Sequence, residues 1–71
     1  MNIPEKTVTT LKVERVKRGI LQYQLAAMLE IDAAQLSRYE SGRERVPLEL
    51  RYELSRILKV DVDKLFPEDQ Q

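Results

Sequence analysis

Apolar residues return along this chain at three- and four-residue intervals, in short clusters broken by polar or conformationally special residues. That spacing predicts an all-α chain of short helices. Leu25, Met28 and Leu29 fall on one face of a helix of about two turns, and Ala26 gives it a small side chain over which a second helix can cross closely. Ile31 is an apolar residue in the connecting turn, and Asp32 can cap the next helix through its carboxylate. Over residues 33–39 that next helix turns Leu36 and Tyr39 to the core. Gln35, Ser37 and Arg38 then face outward with the small Ala33 and Ala34. Ser41 and Gly42 stop the helix with a residue that tolerates positive φ.

The flanks follow the same logic. Residues 1–7 read as a loose polar arm opened by Pro4, and Thr7, Thr9 and Thr10 are each candidate N-caps of a first helix. Leu11 and Val16 are expected to face the core, with Gly19 as the left-handed residue ending that helix. Pro47 suits the first position of a fourth helix, in which Leu50, Leu54, Ile57 and Leu58 repeat at helical spacing and which Lys59 closes. Asp61 can cap a short fifth helix bearing Val62, Leu65 and Phe66. Pro67 enforces its stop, and residues 68–71 form a frayed tail. The expected organisation is therefore an arm (1–7), one domain (8–67) and the tail. A methionine start and a polar end are what a complete small protein would show.

Residues 22–42 thus read as two short helices joined by a tight turn, a helix-turn-helix. Gln22, Leu25, Ala26, Ile31, Leu36, Ser37, Glu40 and Gly42 resemble the phage repressor and Cro type of this motif, also called the xenobiotic-response-element family. The likeness extends back to Leu11, Arg15 and Gly19 and forward to Pro47, Leu54, Leu58, Val60, Val62 and Leu65, so that residues 8–66 fit its pattern. It implies a compact five-helix, lambda-repressor-like domain that binds double-stranded DNA, with the motif at helices two and three. It also implies a partly buried structural ion pair between Arg15 and Glu40.

Composition narrows the alternatives. A chain of 71 residues with 42% apolar content makes one small domain with a narrow stability margin, which dimerisation could widen. It has no cysteine and no histidine, so disulfides, the common zinc-ligand sets and the usual Cys-His and Ser-His catalytic arrangements are excluded. No nucleophile, base and orienting group assemble with any spacing logic, and neither an enzyme, a cofactor, a metal nor a small-molecule ligand is expected. No apolar run approaches the ~20 residues that span a bilayer, and the first ten residues lack a signal-peptide core, so a cytoplasmic protein without a membrane partner is expected.

Charge complicates a DNA-binding reading, because 12 Lys and Arg balance 12 Asp and Glu. Lys6, Lys12, Arg15, Lys17 and Arg18 outweigh Glu5 and Glu14, whereas residues 19–47 carry a net −1 and residues 48–71 a net −2. The acidic end is the one that the resembled fold turns away from DNA, so a neutral total can hide a positive face. An ordinary solvated mixture of charges is the plainer reading.

Candidate DNA contacts follow from the motif. Gln22 opens helix two, where an amide and the free N–H groups of a helix terminus can hold a phosphate; the rival is a merely solvated glutamine. Arg38 lies one turn beyond Ala34 and can pair bidentately with guanine, with a salt bridge to a nearby carboxylate as the competing role. Ser41, Gly42, Arg43 and Arg45 follow the recognition helix, and their backbone N–H and guanidinium groups can reach phosphates, unless they serve only solubility. Tyr23, Gln24 and Ser37 are weaker candidates at the edge. Base reading is thus assigned to Ala33, Ala34, Gln35, Ser37 and Arg38, and phosphate contact to Gln22, Tyr23, Ser41, Arg43 and Arg45.

Several positions depart from the family pattern. Ala33 and Ala34 stand where related proteins place glutamine or another long polar reader, so they can offer only methyl contact to thymine. Leu21 sits where a Ser, Thr or Asn cap belongs, Glu30 where the turn often takes glycine, and Asp32 adds a negative charge beside the phosphates. Two functions remain open. One is a small dimeric repressor or autoregulator that reads a pseudo-palindromic operator, controlled by its own concentration as in phage switches, restriction-modification controllers or antitoxins. The other is a protein-interaction module that kept the motif and lost base reading. Leu48, Tyr52, Leu65 and Phe66 are candidates for a dimer interface, and equally for the core.

Overall fold

In the computed structural model, which describes residues 9–67, the chain forms helices α1 (Thr10–Lys17), α2 (Gln22–Leu29), α3 (Ala33–Glu40), α4 (Leu48–Leu58) and α5 (Val62–Leu65). No strand occurs among the described residues. The expected arm, with Thr7, and the expected tail lie outside them.

Local chemistry sets most helix ends. Of the threonines, Thr9 caps α1, its Oγ1 accepting from the Lys12 N–H at 3.1 Å. Asp32 caps α3 by accepting from the Gln35 N–H at 2.8 Å. Three helices end on the same left-handed closure, in which the N–H two residues past the last turn reaches back to a carbonyl five residues earlier. Gly19 takes the left-handed position after α1 (φ +69°), Glu30 after α2 (φ +61°) and Lys59 after α4 (φ +61°). The corresponding bonds are Ile20 N–H to the Arg15 carbonyl, Ile31 N–H to that of Ala26, and Val60 N–H to that of Ser55.

The core is built from Leu11 of α1, Leu25, Ala26 and Leu29 of α2, Leu36 and Tyr39 of α3, Val46 of the α3–α4 loop, Leu54 and Leu58 of α4, and Leu65 with Phe66 at α5. α2 packs on α3 and on α4, and α5 closes the base against α1 and α4. Ile20, Ile31, Leu50, Ile57, Val60 and Val62 line its edge.

Several expectations are corrected. Val16 is 56% exposed: five residues beyond Leu11 is about 140° around a helix, and the position that shares the inward face is Arg15. Met28 is 55% exposed, because the buried stripe of α2 centres on Leu25, Ala26 and Leu29 and leaves Met28 on its flank. Ala33 does not point outward but packs, half-buried, against the core. Pro47 precedes α4 as its N-cap with extended ψ instead of forming its first turn, and Asp61 occupies the N-cap of α5 without a side-chain bond. Leu65 and Phe66 belong to the core, while Leu48 and Tyr52 on α4 are 61% and 62% exposed.

Candidate nucleic-acid interface

The surface that carries the motif is organised from beneath by Glu40. Its carboxylate is 2% exposed and accepts three hydrogen bonds: Arg15 Nε to Oε2 at 2.6 Å, Arg15 Nη2 to Oε1 at 3.1 Å, and Gln22 Nε2 to Oε1 at 3.1 Å. Arg15 spends its remaining edge on the Ile20 carbonyl, with Nη1 donating at 2.7 Å. The Thr9 hydroxyl, besides capping α1, donates to the backbone carbonyl of Glu40 at 2.8 Å. One buried anion therefore ties together α1, the α1–α2 turn, the first residue of α2 and the end of α3. A buried carboxylate with fewer partners would be severely destabilising. Neither the Gln22 bond nor the Thr9 and Ile20 bonds was foreseen from the sequence; the position of Gln22 opening α2 directly after the turn was the available signal.

Gln22 stands at the start of α2, where the first N–H groups have no partner within the helix. Leu21 offers no side-chain acceptor, and half of a capping box forms instead, Gln24 Oε1 accepting from the Leu21 N–H at 2.9 Å. The Gln22 amide gives one N–H to Glu40 and keeps a second. Tyr23 beside it is exposed.

α3 is amphipathic in the strict sense that its two faces do different work. Leu36, Tyr39 and Glu40 are buried, and Ala34, Ser37 and Arg38 are exposed, with Gln35 half-buried between them. Arg38 is engaged on this surface: its Nε donates to Glu44 Oε1 at 3.1 Å and its Nη2 to Gln35 Oε1 at 2.8 Å. The salt bridge that competed with base contact in the sequence reading is thus formed, between Arg38 and Glu44.

The stretch after α3 differs from expectation. The N–H groups of Ser41, Gly42 and Arg43 do not face outward; they close the helix on the carbonyls of Ser37, Tyr39 and Arg38 at 3.0, 3.2 and 3.0 Å, with Gly42 at φ +81°. The Ser41 hydroxyl also donates to the Arg38 carbonyl, at 3.2 Å. What this segment presents is side chains, those of Arg43 and Arg45 being exposed.

Electrostatics are likewise more balanced than the charge distribution suggested. Of the basic N-terminal cluster, Arg15 is neutralised by Glu40, and Arg18 and Lys17 pair with Glu14 at 2.6 and 3.5 Å. The Arg18 hydrogen bond holds the Glu14 carboxyl below its usual pKa, aided by Lys17 and opposed by partial desolvation. No group of His, Cys, Asp and Glu among the described residues could hold a metal ion, and no described helix is long and apolar enough to cross a membrane.

A short helix anchored on the core, with a second helix laid across it and one polar face of that second helix turned to solvent, defines a small all-helical DNA-binding domain. The profile of the helix-turn-helix family matches residues 11–65, and the chain belongs to that family, in its Cro/C1 or xenobiotic-response-element branch. It is a DNA-binding helix-turn-helix regulator. No curated protein and no solved structure matches the chain significantly.

Proposed function

We propose that the protein is a small dimeric repressor or autoregulator that reads a pseudo-palindromic operator in the major groove. The observation that carries this is the outward face of α3, where Ala34, Ser37 and Arg38 are exposed on a helix whose opposite face is locked into the core. In this reading Ala34 touches a thymine methyl, Gln35, Ser37 and Arg38 meet base edges, and Gln22, Tyr23, Arg43 and Arg45 hold phosphates. Ala33 and Ser41 drop out of the contact set, the first because it packs on the core, the second because its donors serve the end of α3. The domain is residues 8–67.

Two copies would place their recognition helices in successive major grooves about 34 Å apart, and the exposed Leu48 and Tyr52 of α4 are the apolar surface for that pairing. Repression would follow from occlusion of polymerase. The rival reading, a protein-interaction module, draws on the balance of 12 cationic and 12 anionic residues and on the ion-paired state of Arg15, Lys17, Arg18 and Arg38. Selection of bound duplexes from a randomised library at near-physiological salt decides between them. An enriched inverted repeat with half-sites one helical turn apart is the expected result; retention without enrichment would transfer the assignment to the interaction module.

A further inference from the structure

We infer that Glu44 restrains Arg38 against DNA of the wrong sequence: by holding the guanidinium, it withholds an arginine from the phosphates that any duplex offers and lowers affinity for unrelated DNA more than for the operator. The inference rests on the operator-reading function proposed above and assigns a part to Glu44, a residue outside the proposed contact set.

Two observations carry it. The first is how Arg38 is held. Its Nε donates to Glu44 Oε1 at 3.1 Å and its Nη2 to Gln35 Oε1 at 2.8 Å, so one edge of the guanidinium is tied back to its own helix and to the loop after it. A guanidinium has five N–H donors, and the edge formed by Nη1 stays open to a base met from this held pose. To reach a backbone phosphate, the guanidinium must either leave Glu44 or carry that carboxylate toward a second anion. Both routes are opposed, the first by the lost pair and the second by like charge. An exposed ion pair is held only weakly, which makes this a restraint of a few-fold and not a block.

The second observation is the charge of the surface around it. Over residues 21–47 the exposed cations are Arg38, Arg43 and Arg45, and the exposed anions are Glu30, Asp32 and Glu44. Binding without regard to sequence is supplied by neutralised phosphates, and a surface whose cations are matched one for one by anions is poor at it. Asp32 is committed to capping α3, whereas Glu44 is bonded directly to a cation of the proposed reading face. Specificity is a difference of affinities, and a charge that penalises the wrong partner raises it as surely as a new contact to the right one.

The test titrates the full chain, Glu44→Ala, Glu30→Gln, Arg38→Ala and the Arg38→Ala/Glu44→Ala double variant against the selected operator and an unrelated duplex of equal length, at several salt concentrations. Arg38 and Glu44 side chains are 45% and 47% exposed, so substitutions there leave the core intact, and the ratio of the two affinities cancels any change in the folded fraction. Glu44→Ala should bind the unrelated duplex about threefold more tightly for each copy bound and steepen its salt slope by about 0.9 per copy. It should gain less on the operator, so that the ratio falls. Glu30→Gln removes an equal charge from the motif surface without touching Arg38, and should shift both duplexes by one small factor. In the Arg38→Ala background, Glu44→Ala should gain no more than Glu30→Gln does, because no guanidinium is left to release. A Glu44→Ala gain equal to that of Glu30→Gln, or one that persists in full without Arg38, reduces Glu44 to general repulsion and overturns the restraint while leaving the regulator in place. A ratio that falls through loss of operator affinity alone makes Glu44 an operator contact and overturns it equally. A wild-type chain that enriches no sequence overturns the operator-reading function itself, and the restraint with it.

Discussion

Arg15 and Glu40, 25 residues apart in the chain, meet side-on through two roughly parallel hydrogen bonds, Nε to Oε2 at 2.6 Å and Nη2 to Oε1 at 3.1 Å. This fork geometry is the strong form of a charge-assisted pair. Its surroundings are equally consequential, because the Ile20 carbonyl and the Gln22 amide complete it and no buried side-chain polar atom among the described residues lacks a partner.

Removing one member should therefore cost more than removing both. Glu40→Ala leaves the Arg15 charge buried and is expected to destabilise the domain by about 3 kcal/mol or more, whereas Arg15→Met combined with Glu40→Leu should cost clearly less. Urea unfolding of Glu40→Ala, and of Arg15→Met, Glu40→Leu and their combination, which close a double-mutant cycle with the wild-type chain, measures this. A Glu40→Ala protein of full stability that fails to bind DNA would show that Glu40 acts on the ligand and not on the fold.

Gln22 gives one amide hydrogen to Glu40 and, in the proposed reading, its other to a phosphate, so Gln22→Ala should affect stability and binding unequally. The stability loss is that of one hydrogen bond, about 1 kcal/mol. DNA affinity should fall on all sequences alike, since a phosphate contact carries no base information. Titration against the selected operator and against unrelated DNA reads this out. A loss confined to the operator would assign Gln22 to base reading instead.

How much of this was legible in the sequence depended on how often a face repeats. Leu25 with Leu29, Leu36 with Tyr39, and Leu54 with Leu58 each recur within a turn or two, and all six are buried. Val16 and Met28 misled because an apolar residue was assigned to a face by proximity when its angular position lay on the flank. Val46 and Arg51 were missed for the opposite reason. Val46 lies in a loop with no period to reveal it, and Arg51 carries a charge. Yet Arg51 stands three residues before Leu54 and seven before Leu58, on the same stripe of α4. It is buried there because Nε donates to the Val46 carbonyl at 2.7 Å and its guanidinium covers the Phe66 ring at 5.1 Å. In the candidate interface the residue types of α3 were legible. The bonds among Arg38, Gln35 and Glu44 were not, since the loop that brings Glu44 back has no pattern.

The two non-glycine left-handed residues offer a gain. Glu30 and Lys59 both sit at φ +61°, where a Cβ is crowded by the following carbonyl at a cost of about 1–2 kcal/mol. Glycine removes that strain but adds freedom to the unfolded chain. Glu30→Gly and Lys59→Gly should each stabilise by a net of roughly 0.5–1 kcal/mol, and in a domain of this size a gain near 1 kcal/mol raises Tm by about 4–8 °C. Thermal melts of the single and double variants check it; the sites lie at the ends of different helices, so the gains should add. A lower Tm would mean that each side chain makes contacts that outweigh its strain.

Arg43 supplies the contrast to Arg38. It lies just past α3, its N–H closes that helix on the Arg38 carbonyl at 3.0 Å, and in the proposed reading its exposed guanidinium meets a phosphate beside the groove and not a base edge. Each phosphate neutralised adds about 0.9 to the slope of log affinity against log salt. Arg43→Ala should therefore flatten that slope by about one for each copy bound, about two for a dimer, and weaken every sequence by the same factor. Arg38→Ala should instead change the sequence preferred. Affinity measured at several salt concentrations on operator and on unrelated DNA separates the two. A salt-insensitive interaction, unmoved by Arg43→Ala, would mean that the partner of this face is not a polyanion at all.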